Sequence, residues 1–278
     1  MRPAPDHPVT AELDRQYSPS TRVPSLRRYL DEYAVASAAA RDGHEVRVAR
    51  YGPGPDELVD LFPGPAGGPL LVFVHGGNWQ ALGRADSAFG APGALAAGAS
   101  FAAVDYPLAP GAALDDIVSA VRRCVHWLHA NAERLGFHPR RIHLCGTSAG
   151  AHLAAMTAVD PACPPLAGLV LLSGMYDLEP VRRSYVNDAL GLDFAGARRN
   201  SPIWWLPERL PPVIAAVGDN ETEEYHRQHA LLVAALAWRA PLTSFVVAGR
   251  NHFDLPYDLT DPGTALGGAV LTAMEETT

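Results

Sequence analysis

Lysine is missing from this chain of 278 residues: all 22 of its basic side chains are arginine. That reads as compositional bias, since no function calls for discarding lysine. The acidic residues number 30 and the formal net charge is −8. No basic stripe is left to hold phosphates, which argues against nucleic acid as a partner. Cysteine is scarce: Cys124, Cys145 and Cys163 are odd in number and show no metal spacing. Cys145 lies in an apolar run, where a reduced thiol acts as a small hydrophobe, so a reducing cytoplasm is expected rather than secretion. No apolar run approaches a membrane span. Met1 to Pro8 carries charges and prolines where a signal peptide needs an apolar core, and reads as a loose tail. There is neither an H-E-x-x-H motif nor a His/Asp cluster at ligand spacing, so neither a metal nor another cofactor is expected.

What is present is 48% hydrophobic sequence, enough for one large core. Helices are expected over Glu12 to Tyr17 and Ser25 to Arg41, the second with Leu26, Tyr29, Leu30 and Tyr33 at helical spacing. Strands are expected at Glu45 to Tyr51, Leu58 to Phe62 and Leu70 to Val74, the last a continuous apolar run typical of a strand covered on both faces. Strands and helices then alternate. Strands fall at Ser100 to Val104, Arg141 to Cys145, Leu166 to Leu172, Val213 to Val217 and Thr243 to Ala248. Helices fall at Asp115 to Leu135, Ser148 to Ala158, Glu223 to Trp238 and Thr264 to Glu276. This rhythm predicts a single α/β domain over residues 1–278, with a mostly parallel sheet and helices on both faces. Residues 1–44 form a helical extension. Residues 176–210 break the rhythm and read either as a cap over the sheet or as a packed excursion.

Gly146-Thr147-Ser148-Ala149-Gly150 lies between a strand and a helix. A serine on such a turn can project beside a base and backbone donors, and flanking glycines let strand and helix approach. Ser148 is the candidate nucleophile; a helix N-cap is its plain structural alternative. His75-Gly76-Gly77-Asn78-Trp79 follows the buried strand, and its paired glycines free the backbone to turn amides inward. The amides of Gly77, Asn78 and Ala149 are the candidate oxyanion donors. His75 precedes this turn and is read as bonding the loop.

His252 follows the last strand, with Phe253 beside it, and is the candidate base. His226 and His229 sit on a helix, and His126, His129, His138, His143 and His152 read as structural. The orienting acid belongs after the preceding strand, where Asp219 and Glu221 both stand; Glu221 is favoured and Asp219 is the alternative. The chain order Ser148, Glu221, His252 is that of the α/β-hydrolases.

With these residues in place, the chain resembles the serine-dependent kynurenine formamidases, a branch of the α/β-hydrolases near the hormone-sensitive-lipase-like esterases. The resemblance is carried by Gln16 to Ser20, His75 to Trp79, Val104 to Pro110 and Cys145 to Ala154. It continues through Leu172 to Pro180, Arg199 to Pro202, Glu224 to Gln228 and His252-Phe253. It implies hydrolysis of an N-formyl arylamine to formate and the free amine, with a small aromatic formamide as substrate. Trp79, Tyr106 and Tyr176 are expected to flank the aromatic group; core packing is the alternative for each. Asn78 stands where many of these formamidases have tyrosine, and Thr147 where many have histidine. A small-acyl carboxylesterase on the same scaffold is the second reading, a non-catalytic ligand receptor the third. A homodimer is compatible with the sequence but not compelled by it.

Overall fold

The computed structural model of the protein describes residues 8–276. The tail read over Met1 to Pro8 lies outside the described residues, apart from Pro8, which opens the first helix. Two helices precede the sheet, α1 (Pro8–Gln16) and α2 (Leu26–Gly43). Ser25 caps α2 by accepting the Arg28 amide at 3.4 Å, which satisfies one of the donors a helix start leaves unpaired.

Eight strands form one sheet: β1 (Arg47–Arg50), β2 (Leu58–Phe62), β3 (Gly68–Val74), β4 (Ser100–Val104), β5 (Phe137–Thr147), β6 (Gly168–Leu172), β7 (Val213–Asn220) and β8 (Leu242–Asn251). Their order is β1-β2-β4-β3-β5-β6-β7-β8. β2 runs antiparallel to both its neighbours; every other pair is parallel. The connections carry α3 (Ala91–Ala96), α4 (Leu114–Ala130), α5 (Ala132–Leu135), α6 (Ala149–Ala158), α7 (Glu179–Arg182), α8 (Asn187–Leu190), α9 (Phe194–Arg199) and α10 (Glu223–Leu236), and α11 (Ala265–Glu276) closes the chain.

Alternate residues of a strand point to opposite faces. Leu70, Val72 and Val74 of β3 accordingly join a core with Ile117 and Val121 of α4, Leu153 of α6 and Leu232 of α10. Leu71 and Phe73 join a second core with Ala91 and Ala94 of α3 and Leu266 and Val270 of α11. Helices therefore cover both faces, which is why β3 reads as an unbroken apolar run.

The expected elements form, with adjustments. The helix expected over Asp115 to Leu135 breaks at Asn131, and Gly136, at φ 97°, turns the chain into β5. α3 was not expected, because Pro92 and Gly93 disguise it as a loop. Residues 176–210 contain three short α-helices whose buried side chains Val181, Leu190 and Ala197 belong to the first core, as does Val186 just before α8.

Register brings the site together. Val74 pairs with Gly146, Thr147 with Leu172, and Asn220 with Asn251. The carboxyl ends of β3, β5, β6, β7 and β8 therefore form one rim, where open α/β sheets carry their ligands.

Candidate active site

β5 ends at Thr147 and α6 starts at Ala149, leaving Ser148 alone in the turn at φ 55° and ψ −122°. A non-glycine residue there costs about 1–3 kcal/mol, a strain that persists only where surrounding contacts impose it. The imposing contacts are close. The Ser148 amide donates to the Leu172 carbonyl at 2.8 Å. A Cβ at Gly150 would run into the carbonyl oxygens of Val74 and His75, and one at Gly146 into the Gly150 carbonyl. The two glycines are what allow β3, β5 and α6 to meet behind the serine. The helix N-cap alternative is not realised: the Ser148 side chain makes no capping hydrogen bond.

His252 lies just past β8. Its Nδ1 is 2.7 Å from Glu221 Oε2. A carboxylate can only accept, so Nδ1 carries the proton and Nε2 is left with its lone pair. Glu221 is almost fully buried. Its other oxygen accepts from the Ser173 hydroxyl and, at 2.9 Å, from the Gly218 amide. Burial alone would raise this carboxyl. The attraction of the imidazolium that His252 becomes on protonation, and the hydrogen bonds from His252, Ser173 and Gly218, outweigh that and hold it below the usual carboxylate range.

Asp219 takes no part in this arrangement. It is exposed, and its carboxylate accepts the Gly249 amide at 2.9 Å. A register shift in β7 between Gly218 and Asn220 separates the two acids: Glu221 turns inward and Asp219 outward.

Ser148 and His252 line one cavity of about 240 Å³. Gly76, Gly77 and Asn78 line it as well. Gly77 and Asn78 have φ of 97° and 53°, a left-handed turn, and the chain then bonds back on itself through the Gln80 amide and the Gly77 carbonyl at 2.9 Å. Ala149 is the first residue of α6, so its amide has no acceptor within the helix. Among the described residues, the amides of Gly77, Asn78 and Ala149 donate to no protein acceptor.

His75 bonds the loop, as expected. Its Nδ1 is 2.8 Å from the Gly76 carbonyl, and its ring stacks on Tyr106 at 4.1 Å.

The three aromatics expected around a substrate are placed elsewhere. Trp79, Tyr106 and Tyr176 belong to the core and do not line this cavity. Trp79 turns inward and donates Nε1 to His152 Nδ1 at 3.2 Å; Tyr106 donates to the His75 carbonyl at 2.7 Å; Tyr176 packs under Gly174. The cavity's aromatics are Tyr33, Tyr185 and Phe253. Its outer wall comes largely from the N-terminal extension, through Pro19, Leu26, Leu30 and Tyr33. The 176–210 segment contributes Tyr185.

Two residues near the pair were not singled out by sequence. Ser173, at φ 48° just after β6, supports Glu221. Tyr225 of α10 packs its ring 4.4 Å from that of His252. Its buried hydroxyl meets no described partner in hydrogen-bonding geometry. Burial and the Glu221 charge keep that phenol protonated. Its place in the Glu224 to Gln228 run was the available signal. Among the described residues, no group of three or more His, Cys, Asp or Glu side chains is placed to hold a metal ion.

Residues 71–237 match the model of a family with the α/β-hydrolase fold. The chain is 32% identical over 272 residues to the kynurenine formamidase of Danio rerio, spanning 90% of this chain and 91% of that protein. The Salmo salar kynurenine formamidase is also 32% identical, over 274 residues, with the same coverage of 90% and 91%. The crystal structure of a thioesterase candidate from Silicibacter superposes with a TM-score of 0.82 at 29% identity, covering 94% of this chain and 99% of that one. The chain is a hydrolase of the α/β-hydrolase family and belongs to its kynurenine formamidase branch.

Proposed function

We propose that this hydrolase cleaves the formamide of an N-formyl aromatic amine through a Ser148–His252–Glu221 triad. The observation that carries the reading is the buried His252–Glu221 pair on the wall of the cavity that Ser148 enters from its strained turn. Full-length similarity to proteins named kynurenine formamidases supports the formyl substrate.

In this mechanism His252 Nε2 takes the Ser148 proton as Oγ attacks the formyl carbon. The tetrahedral oxyanion is held by the amides of Gly77, Asn78 and Ala149, each such donor being worth about 3–4 kcal/mol in comparable sites. His252 then gives its proton to the arylamine nitrogen and the C–N bond breaks. Water, deprotonated by His252, releases formate from the serine ester. Glu221 holds the imidazole in the required tautomer and stabilises its charged form.

A small-acyl esterase or thioesterase is the second reading, favoured by the Silicibacter superposition. Specificity constants for N-formylkynurenine, formanilide and p-nitrophenyl acetate separate the two. The formamidase reading expects an aryl formamide to match or exceed the ester; it fails if the ester is preferred by about 10³-fold or more, a margin beyond what one substrate contact supplies.

A further inference from the structure

The loop that carries Gly77 and Asn78 is tethered from behind by Trp79, His152 and Asn200. Trp79 ends the His75 to Trp79 turn and is fully buried. Its indole nitrogen can only donate, so the 3.2 Å contact makes His152 Nδ1 the acceptor. The proton of that imidazole is then on Nε2, which donates to the Asn200 carbonyl at 2.7 Å. Burial pushes His152 down to about 4, so near neutral pH the ring keeps one donor and one acceptor. Asn200 is itself fixed: its side-chain amide donates to Asp115 Oδ1 at 2.9 Å and to the Gly196 carbonyl at 3.0 Å. The chain therefore runs from the end of α9 through α6 to the loop after β3. At that loop the backbone is strained. Asn78 and Trp79 hold φ of 53° and 60°, a region that residues with a Cβ keep only where their surroundings impose it. The Trp79 indole is one such constraint, and the Ala109 amide, donating to the Trp79 carbonyl at 2.8 Å, is another.

We infer that the Trp79–His152–Asn200 chain is a positioning device for the oxyanion donors: it holds the left-handed turn at Asn78 and Trp79, and with it the amides of Gly77 and Asn78, in the orientation the reaction needs. This role presupposes the triad and the oxyanion donors proposed above. If the tether is cut, Asn78 and Trp79 can return to ordinary negative φ, and the peptide planes beside them rotate with that change. An amide turned away from the oxyanion is a lost donor. Oxyanion donors act on charge that develops in the transition state, so the loss falls on kcat and not on KM. Trp79, His152 and Asn200 do this without lining the cavity. Glutamine is the conservative replacement at position 152, because its amide oxygen accepts and its NH2 group donates; phenylalanine fills the space and does neither.

The test uses the substrate that wild type turns over fastest, formamide or ester, with rates counted per serine that a fluorophosphonate labels at end point. His152→Phe and Trp79→Phe are each expected to lower kcat about 10²-fold with KM within about threefold, which is the loss of roughly one oxyanion donor. His152→Gln should stay within about tenfold of wild type. The double variant Trp79→Phe/His152→Phe should be little slower than either single one, since both cut the same tether. Thermal melts show which variants fold; if His152→Phe does not, Trp79→Phe set against His152→Gln decides. A folded Phe variant within about threefold of wild type in kcat overturns the inference. So does a His152→Gln as slow as the Phe variants, or a loss that lies in KM. Ser148→Ala, counted per mole of protein on the same substrate, tests the site itself. If it is inert while the Phe variants are fast, only the tether's role falls; if it runs near the wild-type rate, the site falls and the tether's role with it.

Discussion

Glu221 is the residue on which the site's polarity turns. It is buried, it takes hydrogen bonds from His252, Ser173 and Gly218, and it lies two residues from a second carboxylate that takes none of them. Glu221→Gln should lower kcat by about 10⁴-fold, because an amide cannot enforce the imidazole tautomer. Asp219→Asn should stay within about threefold of wild type, as an exposed change away from the site does. Steady-state rates of the two variants, with folding checked by circular dichroism, decide it; a crippled Asp219→Asn beside a mild Glu221→Gln would reverse the assignment. Ser148, Glu221 and His252 could be placed at one rim from sequence, because each follows a recognisable strand and the sheet's register brings those strand ends together. Trp79, Tyr106 and Tyr176 could not be placed. Neighbourhood in sequence does not say which way a side chain turns, and Trp79 sits at φ 60°, which points it at His152 instead of the cavity.

At the scale of elements, α2 departs most from what its sequence conveys. Its stripe of Leu26, Tyr29, Leu30 and Tyr33 announces a buried face but not what that face is buried against. Tyr29 stacks on Phe253 at 5.6 Å, which ties the helix to the loop after β8, and Tyr33 stacks on Phe89 at 5.1 Å, which ties it to the segment before α3. The extension thus supplies much of the cavity wall, while residues 176–210, which sequence reads either as a cap or as a packed excursion, contribute Tyr185 to it. That segment packs on the core through Val181 and Val186 and leaves Phe194, Trp204 and Trp205 exposed, with Arg198 lying 4.8 Å over the Trp204 ring. The strands were legible because buried apolar runs bounded by Gly and Pro have few other readings; α3 was not, since its Pro and Gly fall inside a single short helix.

For the whole molecule, buried imidazoles set the response to acid. Burial pushes His143 down to about 4, with Arg141 adding to the effect, and pushes His152 down to about 4. His152 is held neutral between the Trp79 indole and the Asn200 carbonyl. Both rings titrate near 6.5 once the chain unfolds, so the unfolded state binds more protons between about pH 6.5 and 4. Stability is therefore full above that window and falls as pH drops through it. Urea melts from pH 7 to 4.5 should show uptake of up to about two protons on unfolding, and pH-independent melts would contradict the burial. Among the described residues no helix is long and apolar enough to cross a membrane.

The most direct measurement is the rate of acyl release by Ser148→Ala beside wild type, on whichever aryl formamide or ester the wild type turns over fastest. Loss of at least about 10³-fold in kcat, with the fold intact, is the predicted result. A variant that keeps its rate within about tenfold of wild type would place the nucleophile elsewhere and contradict the mechanism.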